Sequence, residues 1–360
     1  MRAALLSIAT AVPEHRLEAA DALRELRRHW PRLDRLEEAE SGLGVRYTCE
    51  PLDRLVRQRG LTELRDAYLH HARRLALEAG RSALADAGVS GADVDVVICV
   101  SCTGYVVPSL DVHLAAELGF RPDVVRLPIT ELGCSGGAAA IAAARRHLAG
   151  YPDDVVLVVA VEVPSLNFQP ADGSLDNLTA CLVFGDGAGA AVVARPDPAR
   201  SRLEVTRAAS HLIPGTADVL GFDLRDSGFH VVLDRRLPRI LAANAAPVVA
   251  RFLADGEAPE PAYYAVHAAG PRIFAALESS LRLPPGALDV SRSVFASSGN
   301  TSSAAIFFVL RESAGRAGTG LGIGVGPGVT LELMQLEWVP AVTPPPSRSA
   351  APAARASAPS

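Results

Sequence analysis

The sequence predicts an α/β protein built from two similar halves. Apolar runs of strand length alternate with helical runs along most of the chain, the pattern of helices packed on sheets. A second observation is a repeated motif. Gly133-Cys134-Ser135-Gly136-Gly137-Ala138 and Gly299-Asn300-Thr301-Ser302-Ser303-Ala304 each place a glycine, a polar residue and small residues before an apolar helix, which points to internal duplication. The third observation is size: 360 residues with 49% hydrophobic content can bury one large core or two fused halves.

The chain opens on an apolar stretch from Met1 to Val12 that reads as a buried first strand. With one basic residue and a short apolar stretch it resembles a signal peptide, but Pro13-Glu14-His15-Arg16 follows at once, so a buried strand is the expected reading and secretion the lesser one. Segment Leu17 to Arg59 is rich in arginine and glutamate, less periodic, and reads as a helical region at the surface. Ala72 to Ala87, Leu110 to Leu118 and Ala138 to Leu148 read as helices. Val94 to Val100, Val155 to Ala160 and Ala188 to Ala194 read as the buried strands between and after them. The pattern then repeats. Leu203 to Ala208 is a strand, Leu237 to Leu253 a helix, Ala262 to Val266 a strand, Arg272 to Leu281 a helix, and Ala305 to Leu310 an apolar helix. The repeat boundary is placed near Ala199, giving an N-terminal half over 1–199 and a C-terminal half over 200–339. The Pro/Ala/Ser-rich tail, 340–360, cannot build a core and is expected to be disordered.

Composition excludes several classes. A net charge of −5 is mild, and pairs such as Arg235-Arg236 are too short for a nucleic-acid surface. No apolar run approaches the about 20 residues of a membrane helix, so no membrane partner is expected. The five cysteines are scattered. Cys99 and Cys102 are spaced as Cys-x-x-Cys but have no second pair or nearby histidines to complete a zinc site, so packing is their expected role and no metal is expected. Disulfides are not expected either, and a reducing, cytoplasmic location fits.

Chemistry concentrates at three positions. Cys134 sits at a glycine-flanked turn opening directly into a helix, where unpaired N–H groups and the helix dipole favour a thiolate. Of nine histidines, His15, His29, His70, His71 and His147 lie among charges and read as solvated. His267 ends an apolar, aromatic run, with Ala-Ala-Gly270 and Pro271 behind it, at the strand end where α/β folds place chemistry. Alone it reads somewhat better as a strand-capping histidine bonded to backbone. Asn300 alone would be an ordinary N-cap; its correspondence with Cys134 suggests one reactive position in each half.

These residues, with Gly324-Val325-Gly326-Pro327-Gly328 near the end and Phe184-Gly-Asp-Gly-Ala188 before the boundary, resemble the type III polyketide synthases, the chalcone synthase-like branch of the thiolase superfamily. The resemblance runs from about Leu5 to Trp338. It implies the five-layered αβαβα thiolase fold and a catalytic set of Cys134, His267 and Asn300. Cys134 would hold the growing acyl chain as a thioester, its thiolate paired with His267. His267 and Asn300 would form an oxyanion hole for the enolate left by malonyl decarboxylation. It also implies that Phe184 guards the entrance and that Val231 stands at the second entrance position. Asn167, Phe222, Ser302, Gly326 and Cys102 would meet substrate. For Cys102, in Ser101-Cys-Thr-Gly104, packing beneath Cys134 has equal weight. Bacterial enzymes that make tetrahydroxynaphthalene or phloroglucinol from malonyl-CoA alone carry a similar segment.

The chain departs from the family where His267-Ala-Ala-Gly270 replaces His-Pro-Gly-Gly and where Val325 replaces phenylalanine. Basic residues that meet the coenzyme A phosphates in relatives do not align. The implied substrates are coenzyme A thioesters, with no carrier protein and no further cofactor. The implied assembly is a homodimer, its N-terminal helical region lying across the partner. The implied product is a small aromatic polyketide; fatty acyl-CoA starters giving alkylpyrones or alkylresorcinols are the alternative. A ketoacyl-acyl carrier protein synthase of type III would carry His-Gln-Ala-Asn at His267, and a degradative thiolase would need a late cysteine, whereas none follows Cys181.

Overall fold

The computed structural model describes residues 2–29, 44–197, 199–200, 202–256 and 259–340. The first half runs β1 (Ala3–Ala11), β2 (His15–Glu18), α1 (Ala19–His29), β3 (Val45–Thr48), α2 (Leu52–Leu55), α3 (Leu61–Ala87), β4 (Val96–Val100), α4 (Leu110–Leu118), β5 (Val125–Ile129), α5 (Gly136–Gly150), β6 (Val156–Glu162), α6 (Leu175–Val183) and β7 (Gly187–Ala194). The second runs β8 (Arg202–Leu212), β9 (Leu220–Arg225), β10 (Gly228–Leu233), α7 (Leu237–Asp255), β11 (Tyr263–Val266), α8 (Pro271–Leu281), α9 (Asp289–Ser298), α10 (Ala305–Glu312), β12 (Thr319–Gly326) and β13 (Thr330–Val339).

The main sheet has the order β11-β12-β13-β8-β1-β7-β6-β4-β5. Reading outward from its centre, β1-β7-β6-β4 matches β8-β13-β12-β11. In both sets the first two pairings are antiparallel and the third is parallel. The duplication predicted from the two glycine motifs is therefore a duplication of strand order. The halves meet where Ala3 to Leu5 pair antiparallel with Val205 to Leu203.

Strand β6 shows why the core strands read as continuous apolar runs. Val156, Val158 and Ala160 join one hydrophobic cluster, and Leu157, Val159 and Val161 join another. Successive side chains point to opposite faces, so burial on both faces leaves no position for a polar residue. Each fully buried valine or leucine contributes about 1.5–3 kcal/mol. Helix α5 packs on β4 and β6 of its own half and on β12 and β13 of the other, and α10 packs on β1, β7 and β11. These two helices form the middle layer of the thiolase-like α/β fold. Helices α3 and α4 cover the first half from outside, and α7 and α8 the second.

Helix α7 is long and apolar enough, by length and composition, to cross a membrane, contrary to the expectation that no run would be. Here Leu237, Leu241, Ala245, Val249 and Phe252 are its buried stripe, spaced to lie on one helical face. The segment expected to be helical, Leu17 to Arg59, carries helices α1 and α2 and also strand β3, Val45–Thr48, which pairs with His15–Glu18. Its helix α1 rests on α6 of the same chain, Ala22, Leu23 and Leu26 meeting Leu178 and Leu182. The remainder of that segment, 30–43, and the tail from 341 to 360 lie outside the described residues.

Candidate active site

Cys134 occupies a 3-10 turn, Gly133–Ser135, that runs straight into α5. Gly133 has φ +52°, and a Cβ there would stand 2.5 Å from the Pro327 ring; only glycine fits both demands. Gly326 answers it from β12, where a Cβ would stand 2.2 Å from Ser135 Oγ. Gly326 was expected to meet substrate. Its place is instead under the nucleophile turn, where the absence of a side chain lets β12 approach Ser135.

Asn300 reaches the same point from the other half. Its Nδ2 donates toward Cys134 Sγ at 3.9 Å, and its Oδ1 accepts from the Ser302 N–H at 2.9 Å. The second bond fixes the amide: with Oδ1 occupied by a backbone donor, the amino group is left facing the sulfur. Ser302 adopts φ +51°, a costly conformation for a non-glycine residue. Its Oγ lies 3.4 Å from Cys102 Sγ.

His267 follows β11 and is 1% exposed. Its N–H donates to Ile323 O at 3.0 Å, and its Nδ1 accepts from the Val325 N–H at 3.2 Å. An accepting Nδ1 assigns the proton of the neutral ring to Nε2, leaving that nitrogen a donor. Strand end Val325–Gly326 thus touches His267 through one residue and the Cys134 turn through the next.

Burial dominates the electrostatics. It pushes the Cys134 thiol up to about 11, opposed by hydrogen bonds from Ser302 and Asn300, and pushes the His267 imidazole down to about 4. Burial thus works against the expected thiolate–imidazolium pair, and the donors from Ser302 and Asn300 work for the thiolate. The helix-terminal setting of Cys134 is present, but desolvation outweighs it. Among the histidines read as solvated, His71 is packed 3.6 Å from Glu50, and burial lowers its pKa.

Glu162, at the end of β6, was not anticipated. It is fully buried and accepts from the N–H groups of Cys102 and Thr103 at 3.0 and 3.1 Å and from Thr103 Oγ1 at 2.7 Å. Ser303 Oγ donates to it from the other half through a short bond. Burial raises its pKa, opposed by the donors from Ser303 and Thr103. The signal was a lone acidic residue closing an all-apolar strand, which costs too much free energy unless its oxygens are satisfied. Glu162 ties the Cys102 segment to the Ser302–Ser303 turn, and Cys102 Sγ itself lies 3.4 Å from Glu162 Oε1. Cys102 is half-buried, between Ser302 and Glu162.

Four other predicted residues gather elsewhere. Asn167, Phe184, Phe222 and Val231 line one apolar cavity, together with Leu17 and Leu26 from the N-terminal segment. Asn167 Nδ2 donates to Thr103 O at 2.9 Å, and Val231 pairs directly with Phe222 across the β9–β10 hairpin. Phe184 links this cavity to the thiol, because Phe184 and Asn300 form a parallel backbone bridge.

Comparison with known proteins agrees with this layout. The family model for the N-terminal domain of chalcone and stilbene synthases matches residues 55–198, and that for their C-terminal domain matches 204–340. The chain is 35% identical over 348 residues to a 1,3,6,8-tetrahydroxynaphthalene synthase of Streptomyces griseus, covering 93% of each chain. It is 31% identical over 338 residues to a phloroglucinol synthase of Pseudomonas fluorescens, covering 91% of this chain and 96% of that one. The crystal structure of 1,3,6,8-tetrahydroxynaphthalene synthase from Streptomyces coelicolor superposes with a TM-score of 0.87 at 32% identity, covering 92% and 98% of the two chains. Two domain models matched in order and relatives similar over nearly their whole length leave one conclusion: the chain belongs to the chalcone and stilbene synthase family, the type III polyketide synthases.

Proposed function

We propose that the protein condenses malonyl-CoA units by successive decarboxylative Claisen steps and closes the chain to a small aromatic polyketide of the tetrahydroxynaphthalene or phloroglucinol kind. The observation that carries this reading is the Cys134–Asn300 contact, one reactive residue from each half. The Cys134 sulfur attacks an acyl thioester carbonyl, its thiol proton passing to the departing coenzyme A sulfur, so that free coenzyme A leaves and an enzyme thioester forms. A malonyl thioester then loses CO2, and the electron pair of the broken C–C bond is held as an enolate. The Asn300 amino group and His267 Nε2–H are the donors for that oxygen. The enolate carbon attacks the Cys134 thioester carbonyl, and the thiolate leaves. Asn300 is neutral and relays no proton.

The polar floor behind Cys102, closed by Glu162 and Ser303, supports a short chain. The apolar cavity with Leu17, Leu26, Leu52 and Leu55 on its wall favours the second reading, an alkyl starter giving an alkylpyrone or alkylresorcinol. Purified protein given malonyl-CoA alone, then a ladder of acyl-CoA starters, and followed by mass spectrometry separates them. An aromatic product from malonyl-CoA alone is expected; product only with acyl starters would move the assignment to the alkyl reading.

The site also borders a surface that suits a second copy of the chain. Among the described residues strand β5 ends the sheet with one edge unpaired, and Val125 and Leu127 on it are 56% and 43% exposed. Leu132, two residues before Cys134, is exposed as well. A free apolar edge of this kind is stabilised by pairing. Sedimentation equilibrium is expected to give twice the chain mass of 37.6 kDa, and a monomer at micromolar concentration would exclude this arrangement.

A further inference from the structure

Strand β3 carries a buried cation, Arg46, on the wall of the apolar cavity, and no step of the condensation has been assigned to it. Arg46 is 1% exposed, and among the described residues no carboxylate pairs with it. Its partners are carbonyls. Nε donates to Leu182 O at 2.8 Å, near the end of α6, and Nη1 donates to Phe295 O at 3.1 Å, near the end of α9, and to Val45 O at 2.7 Å. The guanidinium carbon lies 4.6 Å over the Phe295 ring. Carbonyls at helix C-termini carry partial negative charge and suit a cation. Burial lowers the Arg46 pKa to about 10, so the group remains charged at neutral pH.

Those two carbonyls belong to the two segments that enter the site. Leu182 precedes Phe184 by two residues, and Phe295 precedes Asn300 by five. The segments cross immediately afterwards, where the Asn300 N–H donates to Val183 O at 2.9 Å and the Gly185 N–H donates to Asn300 O at 3.1 Å. Gly299, at φ +76°, makes the turn between them, and a Cβ there would stand 2.5 Å from Arg46 Cδ. The arginine stem therefore fills the space under the turn that aims Asn300.

We propose that Arg46 is a positioning residue whose guanidinium fork ties the ends of α6 and α9 together, setting the Asn300 amide against Cys134 and Phe184 beside the cavity. The inference rests on the oxyanion role proposed above for Asn300. A lysine ammonium cannot reproduce the planar fork that serves two carbonyls at once, and a misplacement of about 1 Å at a reacting group costs on the order of 10²-fold.

The test uses the full chain with Arg46→Lys and Arg46→Met, measuring malonyl-CoA decarboxylation kinetics, thermal melting and the rate of Cys134 alkylation by iodoacetamide. Both variants are expected to fold. The kcat for decarboxylation should fall about 10²-fold in Arg46→Met and less in Arg46→Lys, with the rate of Cys134 alkylation changed far less than kcat. A folded Arg46→Lys variant with wild-type kcat overturns the inference. So does a parallel collapse of kcat and alkylation, or failure of both variants to fold, since Arg46 would then act on stability rather than aim. Wild-type protein that does not decarboxylate malonyl-CoA would instead overturn the functional reading, and that control is run first.

Discussion

Cys134→Ala is expected to abolish polyketide formation altogether, the largest effect of any single substitution in this chain. Alanine cannot form the acyl thioester, and none of the other four cysteines can substitute. Cys49, Cys99 and Cys181 do not contact Asn300, and burial pushes each of their thiols up. Cys102 is the nearest candidate, but Glu162 beside it disfavours a second negative charge on its sulfur, and burial does so more strongly. The substitution removes little volume from a turn whose backbone is held by Gly133 and Ser135, so the fold should persist. Mass spectrometry of malonyl-CoA incubations checks this, together with intact-protein mass for a covalent acyl adduct. Product at a measurable rate from folded Cys134→Ala protein would end the covalent mechanism.

Asn300→Ala is expected to lower both malonyl-CoA decarboxylation and condensation by about 10²–10³-fold, the cost of losing one preorganised oxyanion donor. Its contacts make this specific. Oδ1 is held by the Ser302 N–H at 2.9 Å, so the amino group has a fixed direction, and a fixed donor needs no reorganisation as charge develops. Loss of the side chain also frees the Ser302 N–H and removes the restraint on a residue at φ +51°. Part of the loss will then reach Cys102, 3.4 Å from Ser302 Oγ. Decarboxylation is read by release of CO2, condensation by product. An unchanged decarboxylation rate would show that Asn300 does not face the enolate, whatever happened to condensation.

Much of the site was legible because its motifs are local. A glycine before a polar residue at a helix start encodes both a turn and a direction, so Cys134 and Asn300 stood out without any fold. His267 was legible as a histidine closing an apolar strand. Glu162 was not singled out, although it is a comparable singularity in strand β6, because the donors that justify it come from Ser101 to Thr103 and from Ser303. Arg46 was missed for the same reason: Leu182 and Phe295 lie 136 and 249 residues away in sequence.

By itself the sequence determined the α/β alternation, the duplication, the family and the three residues offered to chemistry, because periodicity and turn chemistry act over a few residues. The tertiary structure alone decided the burial of those residues and what stands behind them. Full burial pushes Cys134 toward the thiol and His267 toward the neutral ring, and desolvation is a property of the whole surrounding shell. It also decided that Gly326 packs under the nucleophile turn, and that the two halves put Cys134 and Asn300 within contact. Both outcomes follow from how α5 and α10 share the layer between the halves, a pairing of segments that no local pattern encodes.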